Sequence, residues 1–222
     1  MDTVQTPIVL PTGRRPVGRP RDPRLDAAVL DATRALLVEV GYNQLSIEGI
    51  ARRAGVHRPP IYRRWRSKAE IVHEAVYPST DTSLRIVDTG NLLADLRVIV
   101  RHAIQLFSRA EVLAAFPGLM AEYRRHPEMR ERLSPRMETS SRETFARLID
   151  AAVRRGEAQA GVPTDTLFDT LAGTILFAIA SRGVQALATL EDDVTRVLLR
   201  VLGADAERAR PVQRLRVRRM RG

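Results

Sequence analysis

Residues 46–70 carry the strongest local pattern in the chain. They read Ser46-Ile47-Glu48-Gly49-Ile50-Ala51-Arg52-Arg53-Ala54-Gly55-Val56, then a basic run from His57 to Arg66, then Ser67-Lys68-Ala69-Glu70. Ser46 is a good N-cap, Glu48 suits the positive end of a helix dipole, and Gly55 stops a helix of two turns. Serine followed three residues later by glutamate, at Ser67 and Glu70, is a capping box that opens a further helix through about Tyr77. Between them lies a second short, basic helix. Two short helices joined through Gly55-Val56 form a helix-turn-helix, with Ala51 and Ile61 small or apolar at the contact and Val56 filling the turn.

Working outward, Val29, Ala32, Leu36, Leu37 and Val40 recur at helical spacing before Gly41, which reads as a C-cap. Residues 1–24 hold Pro7, Pro11, Pro16, Pro20 and Pro23 with no apolar periodicity, the signature of a disordered arm. Downstream, helices are expected from Leu92 to Phe107 and from Glu111 to Arg125, the second bending at Pro117. A long one follows Pro127 to near Gly156, where Pro135 is positioned to kink or split it. Thr164 to Ala186 and a stretch holding Val194, Val197, Leu198, Val201 and Leu202 complete the set. No β-alternation interrupts them. The expectation is an all-α chain: arm 1–24, helix-turn-helix domain 25–77, helical domain 78–203 and basic tail 204–222.

The net charge of +10 is unevenly placed. Residues 1–24 carry +3, residues 47–68 carry +6 with Glu48 the only acid among them, and residues 204–222 carry +5. Positive charge gathered into three short blocks suits a polyanion, although solubility explains the tail equally well. There is no cysteine, which excludes disulfides and thiolate metal sites. The four histidines are scattered without an HExxH spacing, so no metal, cofactor or catalytic centre is expected. Thr170 to Ser181, the longest uncharged stretch of the apolar C-terminal half, is too short for a bilayer, and no secretory leader is read at Met1 to Leu10. Together these give the expectation of a cytoplasmic protein without membrane contact.

Residues 25–77 resemble the N-terminal domain of the tetracycline-repressor (TetR) family. The likeness rests on Gly41-Tyr42, Ser46-Ile47, Ile50-Ala51, Ala54-Gly55-Val56, Ile61-Tyr62, Trp65 and Ser67-Lys68-Ala69-Glu70. It implies a transcriptional regulator, a repressor released from a palindromic operator on double-stranded DNA by a small effector, working as a homodimer. It also implies that Ser46, Tyr62 and Lys68 meet phosphate and that Trp65 braces the three helices. Pro59-Pro60 depart from the family pattern. They lead us to expect a recognition helix starting late, near Pro59 or Pro60, with Arg58, Pro59, Pro60 and Arg63 as its base-reading face. Upstream, Gly18-Arg19-Pro20-Arg21 resembles an AT-hook-like arm whose Arg19 and Arg21 enter a narrow minor groove.

The C-terminal half resembles the family's regulatory domain in layout only. Ile104, Phe107, Phe116, Leu119, Met120, Tyr123 and Phe177 are the expected walls of a mostly apolar effector cavity. Leu171, Ile175 and Ile179, with Val194, Leu198 and Val201, are the expected two-fold interface. An architectural or ligand-independent DNA-binding protein remains the alternative.

Overall fold

The first helix, α1 (Pro23–Gln44), buries Val29, Ala32, Thr33 and Leu37 on one face. In this computed structural model the described residues are 23–77, 88–183 and 187–204, with the side chains of 134–140 excepted. The expected arm with Arg19 and Arg21 and nearly all of the basic tail therefore lie outside them. Gly41, at φ 73° and ψ 172°, breaks the helical geometry of α1 where a C-cap was expected. A last turn then carries Tyr42 inward.

α2 (Ile47–Ala54) starts as its sequence dictates, with Ser46 Oγ accepting from the Gly49 amide at 3.1 Å. It stops in a Schellman arrangement: Gly55 is left-handed at φ 67°, its amide donates to Arg52 O, and the Val56 amide donates to Ala51 O. α3 (Arg58–Arg64) begins at Arg58, earlier than the two prolines led us to expect. The first-turn amides have no intrahelical partner and no preceding turn for the rings to strike, so Pro59 and Pro60 cost no hydrogen bond there. His57 takes the extended N-cap geometry instead. α4 (Lys68–Val76) opens on Ser67, whose Oγ accepts from the Glu70 amide at 3.3 Å. Glu70 reaches back to the Arg66 amide at 2.6 Å, one residue beyond an ordinary capping box.

Five further helices follow: α5 (Leu92–Phe107), α6 (Ala110–Arg125), α7 (Pro127–Arg154), α8 (Thr164–Arg182) and α9 (Leu187–Val201). Pro117 lies inside α6, and α7 runs on through position 135 without being split. α8 ends at Gly183 rather than near Ala186. All described elements are helical, as expected.

Two cores hold these helices. One joins α1–α4 around Leu37, Ile50, Ile61 and Trp65, and it draws in Val112, Ala115, Leu119 and Tyr123 from α6. The other gathers α5 and α7–α9 around Leu96, Phe145, Ile175 and Leu198. Packing thus runs across residue 77, where the sequence reading sets a domain boundary. Burying each large aliphatic side chain contributes roughly 1.5–3 kcal/mol, so the α6 contribution ties the two halves firmly.

Candidate DNA interface and the cavity behind it

The helix-turn-helix turns one basic face outward. Ser46, Arg52, Arg58, Pro59, Tyr62 and Arg63 are all exposed, while Ile50, Ala51, Ile61 and Trp65 are buried beneath them. Pro60 is half-buried at the edge of that face. The alternation follows from helical spacing: Ile61 must meet α2, which leaves Pro59, Tyr62 and Arg63 turned away from it, while Arg58, three residues before Ile61, stays on the α2 side. Trp65 anchors the platform, its Nε1 donating to Glu74 Oε2 at 2.8 Å. Arg64 ties α3 to its neighbours, bonding Glu74 at 2.8 Å and Asp26 at 3.3 Å. It is therefore structural, in contrast to the exposed arginines beside it.

Two features escaped the sequence. Glu48, read there only as a partner of the helix dipole, forms an ion pair with Arg58 across the α2–α3 junction. Lys68 is half-buried, its Nζ donating to the Tyr42 carbonyl at 2.9 Å and lying 4.3 Å from the centre of the Tyr42 ring. Burial pushes the Lys68 ammonium below its usual range. One of its three N–H donors is committed to the protein, so any phosphate contact is shared with this packing role.

Behind this platform is a cavity of about 200 Å³ bounded by α4–α8. Of the residues named in the sequence as cavity walls, Phe107, Phe116, Met120 and Tyr123 line it. Three expected wall residues do not. Leu119 points the other way into the α1–α4 core, Ile104 packs against the second core, and Phe177 stands 74 % exposed on the outside of α8. A helix offers only about half its circumference to one cavity, and apolar character alone did not say which half. Missed were His102, Ser141, Arg142, Phe168 and Asp169. His102 was findable, because it follows Ile99 by three and precedes Leu106 by four on the inward stripe of α5. Tyr123 is hydrogen-bonded to His73 Nδ1 on α4, so one cavity wall residue touches the helix that follows α3.

The expected two-fold interface is corrected in the same way. Leu171, Ile175, Ile179, Val194 and Leu198 are buried within the subunit, because α8 and α9 pack on α5 and on each other. Of the six, only Val201 is exposed, alongside Val197 and Phe177.

A buried three-helix platform presenting arginines, with a cavity-bearing helical domain behind it, defines a helix-turn-helix DNA-binding regulator. Residues 29–75 match the model for bacterial regulatory proteins of the tetR family, and residues 86–198 that for the tetracyclin repressor-like C-terminal domain. The chain belongs to the TetR family, and it is a DNA-binding transcriptional regulator, not an enzyme. It is 30% identical over 167 residues to an HTH-type transcriptional regulator of Mycobacterium tuberculosis, covering 72% of this chain and 80% of that one. It is 26% identical over 179 residues to the DNA-binding transcriptional repressor TetR of Mycobacteroides abscessus, covering 78% and 93%. In fold it is similar to the regulator FadR of Bacillus subtilis in complex with stearoyl-CoA, with TM-score 0.64, 17% identity and coverage of 78% and 97%. Among the described residues no helix is long and apolar enough to cross a membrane.

Proposed function

We propose that this protein is a cytoplasmic repressor that binds a palindromic operator as a homodimer and is released by a small, mostly apolar effector held in the α4–α8 cavity. The observation that carries this is the Tyr123–His73 hydrogen bond, which puts a cavity wall and α4 in direct contact. A ligand shifts a population only through differential affinity for two states. Here the two states would differ in how α4 seats against α6, and therefore in where the recognition helix points.

Arg63 and Arg58, with Pro59 and Pro60, would read base edges, while Ser46, Tyr62 and Lys68 would hold phosphates. Arg19 and Arg21 would follow the adjacent minor groove. The exposed apolar residues Phe177, Val197 and Val201 on α8 and α9 form a face that a second copy would cover. A relative named as a repressor supports the sign of regulation.

A compound screen tests the reading. Compounds that raise the melting temperature should also release the protein from DNA selected by it. Stabilisation only by strongly polar acids, or stabilisation without release, overturns the apolar-effector reading.

A further inference from the structure

The chain has 5 Phe, 4 Tyr and 1 Trp, a low aromatic content of 5%. Half of these ten residues, Tyr77, Phe107, Phe116, Tyr123 and Phe168, line the one α4–α8 cavity. Such a concentration is not needed to close a helical core, which the second cluster achieves largely with Leu, Ile and Val. Flat π-faces favour a flat partner, in stacked or edge-on contact.

Size sets a second limit. An engineered apolar cavity of roughly 150 Å³ binds benzene. At about 200 Å³ this one has room for a single ring with a few substituent atoms. A long acyl chain or fused polycycle would have to reach out through the cavity's open side.

Charge sets the third. Arg142 and Asp169 are the only formally charged side chains among the described residues lining the cavity, and they pair with each other. Arg142 also lies 4.7 Å from the centre of the Phe168 ring. Asp169 is largely exposed, so the pair sits at the mouth; deeper in, no further formally charged side chain among the described residues lines the cavity, and an ionised group held there would lack a counter-charge, which is costly. A neutral ligand leaves the Arg142–Asp169 pair intact.

Of the polar side chains on the cavity wall, which include His102 and Ser141, Tyr123 is the one whose hydroxyl shares a hydrogen bond with His73 Nδ1 on α4. A phenolic oxygen carries one donor and two acceptor positions. Whether Tyr123 donates to His73 or accepts from it, a ligand hydroxyl can complete the set, because it both donates and accepts. A carbonyl could serve only one of the two cases.

We propose that the cavity takes an uncharged, single-ring aromatic compound bearing a hydroxyl group, with that hydroxyl hydrogen-bonded to Tyr123. This rests on the cavity being the effector site. It narrows the effector from apolar in general to the phenol class.

Calorimetric titration with p-cresol, toluene, p-toluate and 4-methylbenzylammonium tests it on the full chain. All four share a ring and differ in the group that would meet Tyr123. The expected order places p-cresol about five- to tenfold tighter than toluene, the gain of one hydrogen bond, and tighter than either ion. In Tyr123→Phe toluene binding should persist and the preference for p-cresol should fall to near one. Ala172→Phe, which fills the cavity, should abolish binding of every probe while circular dichroism confirms the fold. Toluene binding with no advantage for p-cresol overturns the hydroxyl, and tighter binding of either ion overturns neutrality. In both cases the effector-site reading stands. Failure of all four probes, toluene included, overturns the proposal and that reading together.

Discussion

Gly118, within α6, lies flat against the ring of Tyr42 at the end of α1: a β-carbon on Gly118 would stand 2.1 Å from Cδ1 of Tyr42. Lys68 of α4 sits 4.3 Å from the centre of the same ring. Helices from the DNA-binding and regulatory regions therefore meet at one tyrosine. Propensity alone makes Gly→Ala favourable in a helix interior by about 1 kcal/mol. Here packing should win, because the clash is with a ring held by three helices. Gly118→Ala is expected to lower stability by about 1–3 kcal/mol in urea denaturation. A stabilised variant would contradict the close approach.

Tyr42 also sets an alkaline limit. Burial pushes its hydroxyl up to about 12, from an ordinary value of 10.0. Between these values the unfolded chain gives up the proton while the folded one keeps it. The stability from this group is thus complete below pH 10 and is lost as pH rises through 12. Lys68, pushed down by burial, works in the opposite sense, since the folded state releases its proton first. Tyr42→Phe should flatten the alkaline decline in urea midpoint between pH 9 and 11. At pH 7 it should be close to neutral, because the Tyr42 hydroxyl is buried with no hydrogen-bond partner among the described residues. An unchanged alkaline slope would show that another group is responsible.

Much of this was legible in the sequence, for definite reasons. Ser46, Gly55, Ser67 and Glu70 fix helix ends through short-range hydrogen bonds, which residue type and spacing encode directly. α3 starts earlier than the bias against helical geometry before proline implies, because a first turn has no intrahelical hydrogen bond for proline to remove. The cavity and interface were only half legible. Whether Leu119 faces the cavity or the first core, and whether Leu171 faces a partner or its own subunit, depends on helix rotations set by distant neighbours. Ion pairs such as Glu48–Arg58, joining residues ten apart across a turn, likewise need the fold to be seen.

Base reading and phosphate holding should separate by mutation. Arg63→Ala is expected to relax preference at one position per half-site, at about 1–3 kcal/mol for a lost bidentate contact. Tyr62→Phe should weaken binding to all duplexes alike. Equal losses on selected and random DNA for Arg63→Ala would contradict its assignment.

Glu48 tethers Arg58 and places a carboxylate on an otherwise basic face. On random duplex, where Arg58 has no cognate base to read, Glu48→Gln should therefore release it to phosphate and tighten binding. The log–log salt slope should steepen by about 0.9, the release of one counterion. An unaltered slope would mean that the pair does not compete with DNA.

Assembly should depend on the exposed face rather than on the residues buried inside α8 and α9. Phe177→Asp and Val197→Asp are expected to leave the helical content intact and to yield the 24.8 kDa monomer in sedimentation. Dimers that survive both substitutions would place the interface elsewhere.

Selection of bound duplexes from a random library, followed by sequencing, tests the central claim most directly. A two-fold dimer presenting two α3 helices predicts an inverted repeat whose half-site centres lie about one DNA turn apart, roughly 34–36 Å, or a little more. Enrichment of a single unrepeated half-site, or of no sequence at all, would contradict a dimeric, sequence-specific regulator.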